Sequence, residues 1–478
     1  MNSKYMKCEG FNLRDSENRY SDEMIKYEKA IDKKYKKSNG VFYTDLFLAK
    51  KMLEELDVSS EMIILDPCCG TGSFLFAAQY YGFSSIYGSD QDRSAVDFVN
   101  KHVPNAKVTV FDTIGRRGSE TLKALGLEKE ADVVVGNPPY APLNNDTQII
   151  ASDYLFLRKV QNSGNNLFVA GIIRAMEIAK EGGIISYIIP KNFLHVDSYS
   201  LLRKEILSTK TIVSIVDIGA YFKNVRGEQI IITIMNSKPS KNGILFKKLS
   251  NNNFEYLCKI DQEFYSDEIL LFNSVEEFSI YKKLKYSFQM LKDVRSGYVG
   301  RGKSSSAYAV TGKDIRKFGY KNRKCPTSGN KIFIQNIYSS ESGIIAAMGG
   351  EFEASETVTV FTDGDELMCR YILGFLHSRL CNFYLYKFCY NNSKLTMHTD
   401  SKYLKRLPLN TGTEYCFKQV INTVEMIEQE EYLSNSWHNY IELLNQIVYK
   451  AYEITETEIA LIDREMKKIQ SKRWQNNG

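Results

Sequence analysis

The stretch of sequence that decides the fold is residues 62–74, MIILDPCCGTGSF. It begins as a short apolar run typical of a buried strand, passes through a glycine-rich turn, and continues as a helical pattern to Tyr81. Glycines in such a turn let a ligand approach the backbone, and ligands of open α/β sheets bind at the carboxyl ends of the strands. The motif therefore predicts a ligand site, and the alternative is a tight strand–helix turn that binds nothing.

A second acid strengthens the ligand interpretation. Asp90 ends the next apolar run, 24 residues after Asp66. An acidic side chain at this place binds the ribose hydroxyls of a nucleotide in dinucleotide-binding folds. The two acids together favour a ligand that contains a ribose, but they do not name it.

The rest of the N-terminal half alternates strand-like and helical patterns, which predicts an α/β fold with a parallel sheet. Further strand-like runs are 85–88, 107–111, 133–135 and 183–189, and 166–180 is apolar at helical spacing. The runs 212–218 and 229–235 have no helix-length pattern between them, so we expect them to pair antiparallel. The composition of 236–243, NSKPSKNG, is that of a linker. In the far C-terminus, Thr455 and Glu458 form a capping box, which predicts a helix after it.

The second motif is Asn137–Tyr140, NPPY, directly after the apolar run 132–136. Two prolines fix the backbone and remove two N–H donors. Carbonyl groups, the Asn137 amide and the face of Tyr140 are therefore left at the end of a strand. This set can accept two hydrogen bonds from a planar amino group while Tyr140 stacks on the ring that carries it.

DPCCGTGSF together with NPPY resembles the S-adenosylmethionine-dependent amino-methyltransferases. The segment 40–44, GVFYT, precedes both motifs and resembles the family's N-terminal cofactor segment, although Asp45 stands where the family usually has proline. This order, followed by a large C-terminal extension, is similar to the gamma class (TaqI-type) of N6-adenine DNA methyltransferases. The resemblance covers about residues 38–237. It is looser in four C-terminal segments, 291–310, 372–384, 403–409 and 444–462.

The resemblance implies a fold and a division of the chain. We expect a Rossmann-like, mostly parallel methyltransferase sheet with an antiparallel last strand. A mixed α+β target-recognition domain and C-terminal helices should follow it. The implied domains are an N-terminal helical extension (1–37), a methyltransferase domain (38–237) and a DNA target-recognition domain (244–478).

The resemblance also implies roles for individual residues. The methionine part of S-adenosylmethionine would be lined by Thr44, Asp66, Cys68, Gly70 and Gly72. Asp90 would hold the ribose, Asp112 the adenine amino group of the cofactor, and Phe168 would contact that adenine. Asn137 and the Pro138 carbonyl would hold the target amine, with Tyr140 stacking on the target base. Phe222 would form a second aromatic wall, and its alternative role is that of a core side chain in a hairpin loop.

The implied chemistry is direct methyl transfer to the N6 amino group of an adenine in duplex DNA. An exocyclic amine is a poor nucleophile because its lone pair is delocalised into the ring. Hydrogen bonds to Asn137 and Pro138 would localise that lone pair toward the methyl group. The base must leave the duplex at a cost of roughly a few kcal/mol, and stacking on Tyr140 would recover about 1–3 kcal/mol of it.

Basic residues are concentrated in the C-terminal half. Residues 282–331 hold fourteen Lys and Arg but only two Asp, whereas the whole chain has a net charge of +5. Like charges at this density favour a polyanionic partner, with a solvated surface as the alternative. We therefore predict contacts to double-stranded DNA from Arg301, Lys303, Arg316, Lys317, Arg323 and Lys324.

Composition narrows the classes of protein. Of the 478 residues, 43% are apolar and 25% charged, which excludes a disordered or fibrous chain. The nine cysteines follow no regular framework and no zinc-ligand spacing, so we expect reduced intracellular thiols and no metal. No apolar stretch approaches the ~18 residues of a membrane span. A soluble, cytoplasmic protein without membrane contact is expected.

Other functions compete with this one. Residues 297–304 match the P-loop pattern, but their surroundings predict a strand or loop instead of the strand and helix that an ATPase needs. An RNA or protein-glutamine methyltransferase would keep the NPPY chemistry, and a catalytically silent DNA-binding protein would keep only the basic half. No nuclease constellation is evident. A separate cognate restriction endonuclease is therefore a candidate partner, and an orphan methyltransferase is the other option.

Overall fold

The computed structural model describes residues 13–32, 40, 42–143, 154–222, 225, 227–291, 298–326, 328–393 and 395–470. The chain divides into two compact units, Met1–Leu270 and Leu271–Gly478. Val41 of the GVFYT segment and Gly297 of the P-loop-like segment lie outside the described residues.

The first unit is built on one nine-stranded sheet with the order β3-β2-β1-β4-β5-β7-β6-β8-β9. Strands β1–β9 are, in order, Ile63–Asp66, Ser85–Asp90, Ala106–Val110, Ala131–Gly136, Ala179–Pro190, Thr211–Gly219, Gln229–Met235, Gly243–Ser250 and Asn253–Asp261. β1–β5 run parallel, whereas β7 is antiparallel to both β5 and β6. The predicted fold class is therefore confirmed, including the antiparallel pairing of the runs 212–218 and 229–235.

Helices surround this sheet. In the described part of the first unit, α1–α8 are Leu13–Ala30, Leu46–Glu54, Ser73–Tyr80, Arg93–His102, Gly118–Ala124, Tyr154–Asn162, Leu167–Ile178 and Ser200–Thr209. Short 3₁₀ turns cover Lys191–Leu194, Asp197–Tyr199 and Gln262–Phe264.

The decisive stretch folds as its pattern predicts. Ile64 and Leu65 of β1 are fully buried, and α3 begins right after Gly72. Gly72 has φ +83, and a Cβ there would lie 2.8 Å from the Val99 side chain, so this turn packs against α4. Only glycine accepts both the left-handed backbone and the close approach.

The linker-like composition of 236–243 marks a turn within the sheet. β8 follows it at once, runs parallel to β6 and buries Ile244 and Phe246. The two compact units therefore divide at Leu270, well beyond the division predicted from composition. Polar turn residues have the same composition in a short connection as in a linker, and only the burial of the next strand separates the two cases.

The N-terminal helix α1 is part of the first unit's core. Tyr20 is 1% exposed and Met24 is also buried, and both belong to the core cluster around β1 and α3. The Tyr20 ring stacks on Phe76 with centroids 4.3 Å apart. The segment expected as an extension therefore packs directly beneath the glycine-rich turn.

The second unit combines short strands with helices. β10–β19 are Gln289–Met290, Tyr298–Arg301, Ile315–Arg316, Gly319–Tyr320, Lys331–Gln335, Ile337–Tyr338, Ala346–Met348, Val358–Thr362, Met397–His398 and Pro408–Leu409. Four of them form an antiparallel sheet with the order β11-β17-β14-β16. The described helices α9–α15 are Val275–Ser287, Glu366–His377, Arg379–Tyr384, Ser401–Leu404, Glu414–Gln429, Asn435–Ala451 and Glu456–Gln470, with a π-helical turn at Leu385–Cys389.

The C-terminal helices include the predicted capping box. The Thr455 hydroxyl accepts from the Glu458 backbone at 3.3 Å, and the Glu458 carboxylate accepts from the Thr455 backbone at 2.8 Å. The mixed α+β composition expected for this half is present. Within the ranges that the structure describes, no helix has the length and apolar character to cross a membrane.

Candidate active site at the carboxyl ends of the parallel strands

Three carboxylates lie side by side at one edge of the sheet. Asp66 ends β1, Asp90 ends β2, and Asp112 follows β3 after one residue. These strands are neighbours in the sheet and run parallel, so their carboxyl ends share an edge. The sequence motifs that predicted a ligand site are thus brought together by the fold.

Backbone amides hold each carboxylate in place. Asp90 accepts from the N–H groups of Gly70 at 2.8 Å and Asp92 at 2.9 Å, so it joins the glycine-rich turn to the end of β2. Asp66 accepts from Cys68 N at 3.1 Å, and Asp112 accepts from Gly115 N at 3.0 Å. Carboxylates fixed in this way are oriented acceptors with lone pairs still available for a ligand.

Burial gives these acids an unusual electrostatic state. It raises the pKa of the Asp66, Asp90 and Asp112 carboxyl groups, and the nearby Asp90 charge further raises the pKa of Asp66. Among the described residues, no lysine or arginine forms an ion pair with Asp66 or Asp90. A buried anion without a cation is costly, so a cationic ligand that also bears hydroxyl groups fits this cluster.

The thiol of Cys68 sits beside the same carboxylates. Burial raises its pKa well above the ordinary value, and the Asp90 and Asp66 charges raise it further. The thiolate is the reactive form of cysteine, so this environment keeps Cys68 unreactive. Its implied role in lining the cofactor site does not require a reactive thiol and stays a prediction.

Asn137 stands at the carboxyl end of β4, the next strand in the sheet. Its Nδ2 donates to the Phe42 carbonyl and to Thr44 Oγ1, both at 3.2 Å. The two amide hydrogens are therefore committed to the segment 42–44, and Oδ1 is left as an acceptor. The structure thus joins the cofactor-like segment to the NPPY motif. It shows Thr44 supporting Asn137, a contact that the sequence did not predict.

The Tyr140 hydroxyl occupies this acceptor. Its oxygen lies 2.5 Å from Asn137 Oδ1 and 3.0 Å from the Ile188 carbonyl, so its single hydrogen is shared between these two acceptors. The Tyr140 ring lies 5.8 Å from Phe42 and edge-on to Phe168 at 6.3 Å. The hydroxyl therefore fixes both the ring and the Asn137 oxygen, a role beyond the predicted stacking.

Main-chain contacts lock the NPPY motif to Gly40. Tyr140 N donates to the Gly40 carbonyl at 3.1 Å. Gly40 has φ +62, and a Cβ there would lie 2.6 Å from Ala141 N and 2.7 Å from the Tyr140 carbonyl carbon. Backbone touches backbone here, which leaves no room for a side chain.

The two other predicted aromatic residues lie in different surroundings. Phe168 is 0% exposed and packs edge-on against Tyr140 and Tyr199, so it supports the NPPY ring from inside. Its predicted contact with a cofactor adenine stays a prediction. Phe222 is half-buried and lies three residues after the end of β6. Its ring packs edge-on against Tyr221, with centroids 5.3 Å apart.

Sequence reasoning missed several residues that shape this site. The Tyr20 hydroxyl donates to the Thr71 carbonyl at 2.9 Å, and the Tyr221 hydroxyl donates to Asp45 Oδ2 at 2.7 Å. The spacing of Tyr20, Met24 and Tyr27 is helical and apolar on one face, which could have placed that helix in the core. Nothing local in the sequence pairs Asp45 with Tyr221.

A buried ionic cluster lies beyond the end of β5. Lys191, 3% exposed, contacts Asp217 at 2.9 Å and Glu228 at 3.6 Å. Burial lowers the pKa of Lys191, but the two carboxylates outweigh it and hold that pKa above the ordinary value. The cluster ties the ends of β5 and β6 to the start of β7, at the base of the loop that carries Phe222.

The six basic residues predicted to contact DNA divide into two groups. Arg301, Lys303 and Lys324 are exposed, whereas Arg316, Lys317 and Arg323 are half-buried. Arg301 forms an ion pair with Asp400 at 3.0 Å. Burial lowers the pKa of Lys317 to about 8. Lys303 and Lys324 are accessible to a polyanion, whereas Arg301 would have to exchange Asp400 for a phosphate; DNA contact by all six residues stays a prediction.

The P-loop-like segment is a strand followed by a turn. Tyr298–Arg301 forms β11, paired antiparallel with β17, and Gly302 N donates to the Val358 carbonyl at 2.9 Å. No helix occurs in the described stretch 302–314. This confirms the strand-or-loop expectation for residues 298–304.

Comparison with known proteins agrees with this geometry. Residues 84–222 match the Eco57I restriction-modification methylase family. The chain is 29% identical to the type II methyltransferase M.VspI of Vibrio sp. (strain 343) over 252 residues, 48% of this chain and 60% of that enzyme. It is 24% identical to the modification methylase CviBIII of Paramecium bursaria Chlorella virus NC1A over 351 residues, 66% of this chain and 88% of that enzyme.

A solved structure has a similar fold. The type IIL restriction-modification enzyme MmeI, in complex with DNA, aligns with 96% of this chain and 78% of its own, with a TM-score of 0.51 and 12% identity. At this identity the likeness concerns the fold alone. The chain is thus similar to methyltransferases of restriction–modification systems.

Proposed function

We propose that this protein is a site-specific DNA methyltransferase that transfers a methyl group from S-adenosylmethionine to the N6 amino group of a flipped-out adenine. The observation that carries the proposal is the orientation of Asn137. Both of its amide hydrogens are bound by Phe42 and Thr44, so only its oxygen can face a substrate. An oxygen acceptor at a strand end, beside a proline carbonyl, suits an amine donor.

The cofactor part of the proposal is supported by the three strand-end acids. S-adenosylmethionine carries a sulfonium, an ammonium group and a ribose, which are the charges and hydroxyls that carboxylates held by backbone amides would bind. Asp66 would face the cationic part, Asp90 the ribose and Asp112 the adenine. Once bound, the cofactor supplies an electrophilic methyl group.

The substrate part concerns what the NPPY residues do to an incoming base. Asn137 Oδ1 and the Pro138 carbonyl would accept the two N–H groups of the amine, which draws its lone pair out of the ring. The Tyr140 hydroxyl shares Asn137 Oδ1, and a carbonyl oxygen has two lone pairs, so the amine could be accepted beside it. Positioning of this kind accounts for most of what a protein contributes to a direct group transfer.

Duplex DNA as the substrate is supported by the second unit. Its basic segment includes the exposed Arg301, Lys303 and Lys324, whose charges would neutralise phosphates. The relatives named above belong to restriction–modification systems, so we propose the modification role here, with a separate cognate endonuclease as candidate partner.

The test is methyl transfer from labelled S-adenosylmethionine to duplex DNA, followed by nucleoside analysis. We expect N6-methyladenine, and no product from Asn137→Ala although DNA binding persists. Label in RNA or in protein glutamine would promote those alternatives, and N4-methylcytosine would change the base but keep the chemistry. A protein that binds DNA but neither binds the cofactor nor transfers methyl groups would be a silent DNA-binding protein.

A further inference from the structure

Asp45 uses its two carboxylate oxygens for two different partners. Oδ1 accepts from Leu48 N at 2.9 Å and caps helix α2, whereas Oδ2 accepts from the Tyr221 hydroxyl at 2.7 Å. Asp45 and Tyr221 are 176 positions apart in the chain. The N-cap needs only one oxygen, so the second bond is an additional link between distant segments.

One end of this link belongs to the support of Asn137. Asp45 directly follows Thr44, whose hydroxyl accepts from Asn137 Nδ2, and Phe42 provides the second acceptor. The Thr44 carbonyl in turn accepts from the Ser73 hydroxyl at 2.5 Å, at the start of α3. The segment 42–45 is therefore anchored at the glycine-rich turn, and it fixes the Asn137 side chain whose oxygen would face the substrate.

The other end of the link belongs to the loop after β6. Tyr221 immediately precedes Phe222, and their rings meet edge to face at 5.3 Å. Both rings pack against the core of the first unit. Burial raises the pKa of the Tyr221 hydroxyl and the Asp45 carboxylate raises it further, so the hydroxyl stays protonated and remains the donor.

We propose that Asp45 and Tyr221 are a positioning pair that holds the loop bearing Phe222 at a fixed distance from Asn137. The pair would keep the Phe222 ring and Asn137 Oδ1 placed so that both contact the same flipped base. This inference rests on the proposed function, because it assigns the pair to the capture of a flipped base. A purely structural pair would stabilise the fold without affecting that capture.

Three variants separate these roles. Tyr221→Phe removes the hydroxyl and keeps the ring against Phe222, whereas Asp45→Ser keeps a good N-cap and loses the second oxygen. The matched control is Tyr81→Phe, since the Tyr81 hydroxyl also donates to a carboxylate, Glu54 Oε1, at 2.6 Å in the same unit. That bond lies outside the segment 42–45 and the Phe222 loop.

The first readout is hydrogen exchange of amides 219–222 in the protein without DNA. Tyr221→Phe and Asp45→Ser should each speed this exchange about tenfold, as expected for loss of a hydrogen bond to a charged group. The double variant should be no faster than either single one, because both remove the same bond. Tyr81→Phe should leave these amides unchanged. The proposed pairing would be wrong if Tyr221→Phe left the exchange rates unchanged. It would also be wrong if the double variant showed the sum of the two single effects.

The second readout is the fluorescence of 2-aminopurine placed at the target position, together with cofactor affinity. Tyr221→Phe should lower the unstacked-base signal and turnover several-fold, while S-adenosylmethionine binding stays at the wild-type level. Faster exchange with an unchanged base signal would also overturn the positioning role. If the wild-type protein fails to methylate duplex DNA, the proposed function fails, and the exchange result still judges the link itself.

Discussion

Replacing Gly40 by alanine should separate the geometry of the NPPY motif from the stability of the fold. A Cβ at this position would lie 2.6 Å from Ala141 N, and ordinary contact begins at 3.4 Å. The NPPY main chain would therefore have to move by about 0.8 Å, because a backbone atom cannot rotate away as a side chain can. Tyr140 and Asn137 would move with it.

Two costs follow from this substitution, and they differ in kind. An alanine held at φ +62 costs about 1–2 kcal/mol of stability. A displacement near 1 Å at the reacting groups costs about a hundredfold in rate, or about 2.7 kcal/mol. We expect Gly40→Ala to bind S-adenosylmethionine but to lose about two orders of magnitude in kcat.

Gly126→Ala is the matched control. Gly126 has φ +68, and nothing lies within 4 Å of a Cβ there, so it bears the conformational cost without the collision. Both variants should melt below the wild-type temperature, Gly40→Ala at least as far below as Gly126→Ala because of the collision, and only Gly40→Ala should lose turnover. If Gly40→Ala kept full turnover, or if both variants lost turnover equally, the close packing of Gly40 on the NPPY backbone would not explain the loss of activity.

Further predictions concern the cofactor, the base and the DNA. Asp90→Ala should weaken S-adenosylmethionine binding at least about tenfold by calorimetry, and wild-type melting with near-normal affinity would contradict its ribose role. Because burial raises the pKa of Asp66 and Asp90, cofactor affinity should be constant at higher pH and fall as the pH decreases through those raised values; a flat pH profile would argue against charge attraction. Tyr140→Phe keeps the ring but frees Asn137 Oδ1, so it should retain much of the activity, whereas inactivity like that of Asn137→Ala would assign the essential role to the hydroxyl. Neutralising Arg301, Lys303 and Lys324 together should reduce the slope of log affinity against log salt by nearly three, at about 0.9 per phosphate, and an unchanged slope would identify a solvated surface.

Local sequence patterns predicted most strands and helices of the first unit, because each of these elements depends on residues close together in the sequence. The runs at 63–66, 85–90 and 131–136 are apolar over a strand length, and glycine follows the first of them at the turn. A strand, a turn and a helix each depend on neighbours in sequence, so composition and spacing suffice. The linker-like segment 236–243 shows the limit, since its polarity fits a sheet turn equally well.

The sequence alone also indicated which candidate site residues lie at the ends of the parallel strands, because strand-end position follows from the strands themselves. Parallel order places Asp66, Asp90 and Asn137 at one edge once the sheet is assumed. Side-chain partners were not predictable in this way. The bonds from Asn137 to Phe42 and Thr44 join residues more than 90 positions apart, and Asp45–Tyr221 joins residues 176 apart.

The difference has a physical reason. Hydrogen bonding and burial along one strand or helix are set by the residue types within a few positions, and the sequence displays them directly. Whether the oxygen or the NH₂ group of Asn137 is left open at the strand end depends on which acceptors the distant segment 42–44 brings to it, and whether Gly40 tolerates a side chain depends on the backbone packed against it. The sequence determined the α/β sheet and the polar residues at the carboxyl ends of its strands; only the tertiary structure decided their orientation, because chain segments remote in sequence supply the partners.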